Sequence, residues 1–168
     1  MNKNTIIFDL DGTLANIEAR RSKSTKPNGK LDWDVFFDAD NIKLDKPNHP
    51  VIKTAQMFHE NGFKIVIFSG RNDRSFDATV SWLKTHDVPH DLLVMRPDKF
   101  KDKSWPIADG NPATTDMRFM PDDILKKKML DTFLDINDIF LVVDDRNKVV
   151  DMWRGLGLNV FQVAPGDF

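Results

Sequence analysis

Three short stretches of this sequence end an apolar run in oxygen-bearing side chains. They are Asp9-Leu10-Asp11-Gly12-Thr13, Ser69-Gly70-Arg71 and Asp144-Asp145-Arg146. Each alone has an ordinary reading: a glycine-assisted turn, a strand-to-helix turn and a helix cap. Together they deliver Asp9, Asp11, Ser69, Asp144 and Asp145 to the ends of three strands, and in an open parallel sheet ligands bind outside those ends. Carboxylates gathered there repel one another unless a cation holds them. An all-oxygen donor set, with no His or Cys beside it in the sequence, points to Mg²⁺.

The elements that must position these groups are legible from periodicity. Near-continuous apolar runs at Thr5–Leu10, Phe63–Phe68, Leu92–Met95, Ile139–Val143 and Leu158–Val163 predict strands of a parallel sheet covered on both faces. Helical spacing falls between them, at Pro50–Asn61, Asp73–His86, Asp122–Leu134 and Arg146–Leu156. The alternation predicts an α/β fold, a doubly wound Rossmann-like sheet of about five strands, in one domain over 1–168. Two stretches break the pattern. Arg20–Lys30 is basic and polar, reads as a loop, and leads into a short helix over Leu31–Asp40, the two forming a small insert around 20–46. Trp33, Phe36 and Phe37, at helical spacing in that helix, read as core. Residues 96–121 form a long loop, a length usually reserved for function. Both stretches follow strands and could border one site.

Composition removes several classes. There is no Cys, which excludes a disulfide scaffold, a thiolate zinc site and a cysteine nucleophile. The longest apolar run, Ile139–Val143, is far short of the roughly 20 residues of a membrane span, and no signal peptide is readable at the N-terminus. These absences fit a cytoplasmic protein without membrane contact. The net charge of −2 gives no general pull toward nucleic acid. Acidity is carried by 24 Asp against Glu18 and Glu60, so most Asp must be caps, turns and solvated surface.

The ordered set formed by the DxDGT stretch at Asp9–Thr13, Ser69, Lys126 and Asp144-Asp145 resembles the haloacid dehalogenase-like phosphohydrolases. The resemblance implies an Mg²⁺-dependent phosphatase working through an aspartyl-phosphate, with Asp9 as nucleophile and Asp11 as general acid, then base. It implies that Asp9, Asp144 and the Asp11 carbonyl hold the metal with help from Asp145, and that Ser69 and Lys126 bind the phosphoryl group. Lys126 is preferred over Lys127 and Lys128 because it lies one helical turn after Asp122 and matches the family position.

The stretches Val143–Arg154 and Gln162–Phe168 resemble the phosphatase domain of phage polynucleotide kinase-phosphatase, which removes 3′-phosphates from nucleic acid ends. That likeness adds Thr13, Arg20, Gly70, Arg71 and Asp122 as substrate-binding residues. No phosphate loop of the G-x-x-x-x-G-K-[ST] type occurs, so a kinase half is not expected within this chain, although a kinase or ligase partner is compatible with it. No large cap domain fits between the motifs. The segment Lys99–Arg118 is longer than expected and is expected to reshape the pocket. Three functions follow as expectations: a 3′-phosphatase on DNA or RNA ends, a phosphatase for nucleotides or other small phosphomonoesters, and a non-catalytic module beside a separate kinase. The basic Arg20–Lys30 stretch favours a polynucleotide; its lack of aromatic residues does not.

Overall fold

The computed structural model describes residues 2–98 and 116–168. Its central sheet contains β1 (Thr5–Phe8), β4 (Lys64–Asn72), β5 (Leu92–Arg96), β6 (Ile139–Asp144) and β7 (Val160–Gln162). The order is β5-β4-β1-β6-β7, with every pairing parallel. Successive strand residues point to opposite faces, and the core divides accordingly. Ile6, Phe8, Ile65, Ile67, Leu141 and Val143 face one layer, with Ile52 and Ala55 of α4 (His49–Glu60) and Trp82 and Leu83 of α5 (Phe76–Thr85). Ile7, Val66, Phe68 and Val142 face the other, with Leu125 and Met129 of α6 (Asp122–Phe133) and Val149 and Trp153 of α7 (Asn147–Gly155). The strands are apolar on both sides because both sides are covered. The α/β, doubly wound reading of the sequence is the observed fold.

Chain direction across the sheet reverses beside β1. The connections through α4 and α5 build outward to β4 and β5; β6 and β7 lie on the opposite side of β1. The carboxyl ends of β1 and β6 are therefore neighbours at a topological switch point, where such sheets open a crevice.

Several boundaries differ from expectation. The first strand stops at Phe8, and Asp9 begins the loop. Strand β4 extends to Asn72 rather than Phe68, with a register irregularity between Ser69 and Asn72, so Gly70 and Arg71 bulge at the sheet's edge. The basic stretch is not a plain loop: α1 spans Glu18–Ser24, and Arg20 is fully buried within it. Its burial is made possible by buried acceptors that no local pattern encodes. The single helix expected over Leu31–Asp40 is two short ones, α2 (Trp33–Phe36) and α3 (Ala39–Ile42), each started by an aspartate whose side chain accepts backbone N–H groups, Asp32 and Asp38. A two-stranded antiparallel pair, β2 (Ala15–Asn16) with β3 (Lys46–Pro47), closes this insert. Most of the long loop, and most of the Lys99–Arg118 segment, lies outside the described residues. No helix among the described residues is long and apolar enough to cross a membrane.

Candidate active site

The first acidic stretch is shaped by its backbone. Asp9 N–H donates to Val143 O at 2.9 Å, holding it against the end of β6. The chain then turns: Gly12 has φ +84°, and the N–H groups of Thr13 and Ala15 both donate to Leu10 O, at 3.2 and 2.9 Å. A Cβ on Gly12 would run into the Asp145 carboxylate. Glycine is thus required here for its dihedral and for space. The turn separates Asp9 and Asp11 into two different ionic environments.

Asp9 sits in the first. Lys126 Nζ donates to Asp9 Oδ1 at 2.7 Å and to Asp144 Oδ2 at 2.9 Å, with all three side chains buried. Oxygens of Asp9, Asp144 and Asp145 lie within 4.8 Å of one another. Thr13 Oγ1 donates to Asp9 Oδ2 at 3.2 Å, and Trp153 Nε1 to Asp144 Oδ2 at 3.3 Å. Three carboxylates thus share one ammonium. Burial raises the Asp9 carboxyl well above its usual range; Lys126 opposes the shift, and Asp144 and Asp145 add to it. Burial and the neighbouring Asp144 raise Asp145 as well, against the pull of Lys126. For Lys126, burial alone would disfavour the charge, but Asp144 and Asp9 outweigh it and hold the ammonium protonated. The donor set is hard, all-oxygen and short of about two positive charges, which fits a divalent cation such as Mg²⁺.

Asp11 sits in the second environment, and there charge balances. Arg71 Nε and Arg20 Nη2 donate to Asp11 Oδ1 at 2.7 and 2.9 Å. The same guanidiniums reach Asp45: Arg20 Nε donates to Oδ1 at 2.9 Å and Arg71 Nη2 to Oδ2 at 2.7 Å. Remaining donors go to Phe36 O and Thr79 Oγ1. Two buried cations and two carboxylates interlock, so each arginine is oriented by two carboxylates. Burial pushes Asp11 up, but Arg71 and then Arg20 more than offset it, and its carboxyl stands below the ordinary range. The Asp45 side chain has no exposed surface, and there burial wins, pushing its carboxyl up to about 6 despite both arginines.

Asp122, at the start of α6, is clamped from both sides. Arg96 Nη2 donates to Oδ1 at 2.6 Å and Arg146 Nη1 to Oδ2 at 2.7 Å. Arg96 Nε also donates to Gly70 O at 3.0 Å, tying the clamp to the β4 bulge. A side chain on Gly70 would press on Asp122.

One cavity of about 1450 Å³ joins these parts. Asp9, Asp11, Gly70, Arg71, Asp122, Lys126, Asp144 and Asp145 all line it. Thr13 and Ser69 are not among the lining residues: the Thr13 hydroxyl supports Asp9 from behind, and Ser69 Oγ accepts the Arg71 N–H at 3.1 Å. Arg20 is buried behind Asp11, and of the basic stretch it is Arg21 that reaches the cavity. Lys126 is the buried member of its triplet, whereas Lys127 is spent on Asp131 at the surface. Sequence reading missed Asp45, Arg96 and Arg146. Nothing marks Asp45 among so many aspartates. Arg96 ends β5, and the strand-end argument applied to Ser69 and Asp144 would have found it.

The family profile described as the polynucleotide kinase PNKP phosphatase domain matches residues 3–168. A chain in a solved Pnkp1/Rnl/Hen1 complex is 29% identical, with TM-score 0.71, over 99% of this chain and 48% of that one. A chain in a Pnkp1/Rnl/Hen1 RNA repair complex is 30% identical, with TM-score 0.71, over 98% of this chain and 44% of that one. The protein thus spans about half the length of those chains. L-2-haloacid dehalogenase from Xanthobacter autotrophicus shares the fold at 14% identity and TM-score 0.61, over 97% of this chain and 78% of that one.

Proposed function

Because the chain belongs to the family of PNKP phosphatase domains, within the haloacid dehalogenase-like superfamily, we propose that it is an Mg²⁺-dependent phosphatase that removes 3′-phosphates from polynucleotide ends through an aspartyl-phosphate. The observation that carries the reading is the division at Gly12: Asp9 beside Lys126, Asp144 and Asp145, and Asp11 beside Arg20 and Arg71.

Asp9, Asp144 and Asp145, with the Asp11 carbonyl, would hold Mg²⁺, which when bound supplies charge stabilisation for the phosphoryl oxygens. Lys126 supplies a fixed positive charge to the same oxygens and keeps Asp9 oriented. An Asp9 carboxylate oxygen attacks phosphorus; the P–O bond to the leaving alcohol breaks, and that alcohol takes a proton from Asp11. Water then attacks the phosphorus of the aspartyl-phosphate and gives its proton to Asp11, releasing inorganic phosphate and restoring Asp9. Arg20 and Arg71 favour the ionised Asp11 needed in this second step. In the first step the incoming phosphate dianion opposes their field and raises Asp11 toward its acid form. Asp122 holds Arg96 and Arg146 in place at the cavity, and Gly70 and Arg71 border the phosphate. Ser69 acts by steadying the Arg71 backbone, and Thr13 by steadying Asp9.

The single domain over 1–168 is part of the same proposal. The likeness to a chain of an RNA repair complex supports a second part, that the phosphatase works beside a kinase or ligase partner. Phosphate release from 3′-phosphorylated oligonucleotides, beside nucleoside 3′- and 5′-monophosphates, with Mg²⁺ and with chelator, tests the reading. Preference for the oligonucleotide is expected. Equal or better turnover of mononucleotides makes the protein a small-molecule phosphatase, and no release from any substrate makes it a non-catalytic module.

A further inference from the structure

The aromatic cluster of the insert is only partly core. Phe36 is buried, but Trp33 is 54% exposed, and both line the same cavity as Asp9 and Asp11. Trp33 meets Phe36 edge-on, with centroids 5.7 Å apart and planes at 87°. It lies against Phe37 at 5.8 Å and 19°. Phe36 and Phe37 brace each other at 5.2 Å. Two rings therefore fix the indole plane while more than half of the residue faces outward.

The cluster is also wired to the site. The Arg20 guanidinium lies over the Phe36 ring at 4.2 Å and donates to Phe36 O, while its Nη2 holds Asp11. Trp33 is thus one ring beyond the arginine that orients Asp11, and it lines the same cavity. The lining carries both charges. Arg21 and Lys46 line the cavity, as do the acidic Glu18 and Asp34, and Arg74, paired with Asp34 at 3.1 Å on the surface, lines it too. An exposed pair of this kind is weak enough for Arg74 to turn to a phosphate.

Resting on the phosphatase reading above, we propose that Trp33, backed by Phe37, is a stacking platform for a nucleobase of the strand whose 3′-phosphate enters the cavity. The backbone phosphates of that strand meet Arg21, Lys46 and Arg74. A flat, rigid, apolar face beside cations is what single-stranded nucleic acid uses, because every base has a π-face and every linkage a charge. The platform makes the leaving strand, rather than the phosphate alone, a determinant of affinity. A base contact away from the reacting centre is similar in the ground and transition states, so it appears in KM.

The test compares wild type, Trp33→Ala and Trp33→Phe on a 3′-phosphorylated hexanucleotide, on the same strand with abasic terminal and penultimate positions, and on glycerol 2-phosphate, which has no ring. Trp33→Ala should raise KM for the hexanucleotide about ten-fold, with Trp33→Phe restoring most of it and kcat unchanged. Glycerol 2-phosphate turnover should be the same in all three. Removing the bases should cost wild type a similar factor and cost Trp33→Ala nothing further. Equal KM in wild type and Trp33→Ala, or an abasic penalty that survives the substitution, overturns the platform while leaving the phosphatase standing. If wild type turns over neither the hexanucleotide nor glycerol 2-phosphate, the phosphatase reading fails instead. The platform is then judged by fluorescence anisotropy of the labelled hexanucleotide, where equal binding by wild type and Trp33→Ala overturns it.

Discussion

Lys126 Nζ lies 2.7 Å from Asp9 Oδ1, across 117 positions of sequence, and the same ammonium reaches Asp144. It is the buried countercharge of the acidic cluster, and its loss leaves three crowded carboxylates without a cation.

Lys126→Met should therefore lower both stability and turnover. Removing one partner of a buried pair costs about 3–5 kcal/mol, and losing one fixed charge at a phosphoryl site costs about 10²–10³ in kcat. Thermal unfolding should also show a larger Mg²⁺-induced rise in Tm than in wild type, because the cation then compensates more charge. A kcat within five-fold of wild type would remove Lys126 from the phosphoryl site.

Asp9→Asn should abolish phosphate release, since an amide cannot serve as the nucleophile. Its metal-free Tm should equal or exceed that of wild type at neutral pH. The sign follows from the raised Asp9 carboxyl: the folded state binds its proton more tightly than the unfolded chain, so ionisation works against folding as pH rises above the ordinary carboxylate range. The variant's advantage should vanish near pH 3 and grow toward neutrality. An Asn variant that is markedly less stable than wild type at pH 7 would contradict this.

Asp45→Asn tests the balanced half of the site. Burial pushes Asp45 up to about 6, so it protonates as pH falls through that value and loosens its hold on Arg20 and Arg71. Wild-type kcat/KM should show an acid limb near pH 6. The Asn variant should lose about 10–100-fold at pH 7.5 and lack that limb, because a 1 Å misplacement can cost about 10²-fold. On stability the sign is the reverse: between about pH 4 and 6 the folded state takes up a proton that the unfolded chain does not, so this group favours folding as pH falls across that window. An identical acid limb in both proteins would free Asp45 from any part in the profile.

Gly12→Ala should damage the metal site selectively. The methyl group must displace the Asp145 carboxylate, and φ +84° is strained for alanine. Calorimetry should show Mg²⁺ affinity reduced at least ten-fold, with turnover falling alongside. Unchanged affinity would mean that Asp145 takes no part in holding the cation.

Alternating apolar runs and helical spacing were enough to read the parallel sheet, the order of its elements and the arrival of Asp9 and Asp144 at its carboxyl edge, but not the extension of β4 through Ser69 to Asn72. Those features are local: a strand buried on both faces must be apolar at nearly every position, and a turn at Gly12 needs its own residue. The choice of Lys126 over Lys127 and Lys128 rested on its place one helical turn after Asp122 and on a family likeness. The burial of Lys126 against Asp9 and Asp144 is a property of the packed helix and not of the triplet. The insert was the least legible part. Arg20 looks like a surface cation in a basic stretch, and Trp33 like a core aromatic at helical spacing; the fold reverses both. Arg20 is drawn inside by Asp11, Asp45 and the face of Phe36, while Trp33 is left outward at the cavity rim. Sequence by itself determined which residues could do chemistry and which strands would carry them. Only tertiary structure decided which charges would be desolvated together, because the cost of burying an ion depends on partners brought from distant segments, and no local pattern contains them.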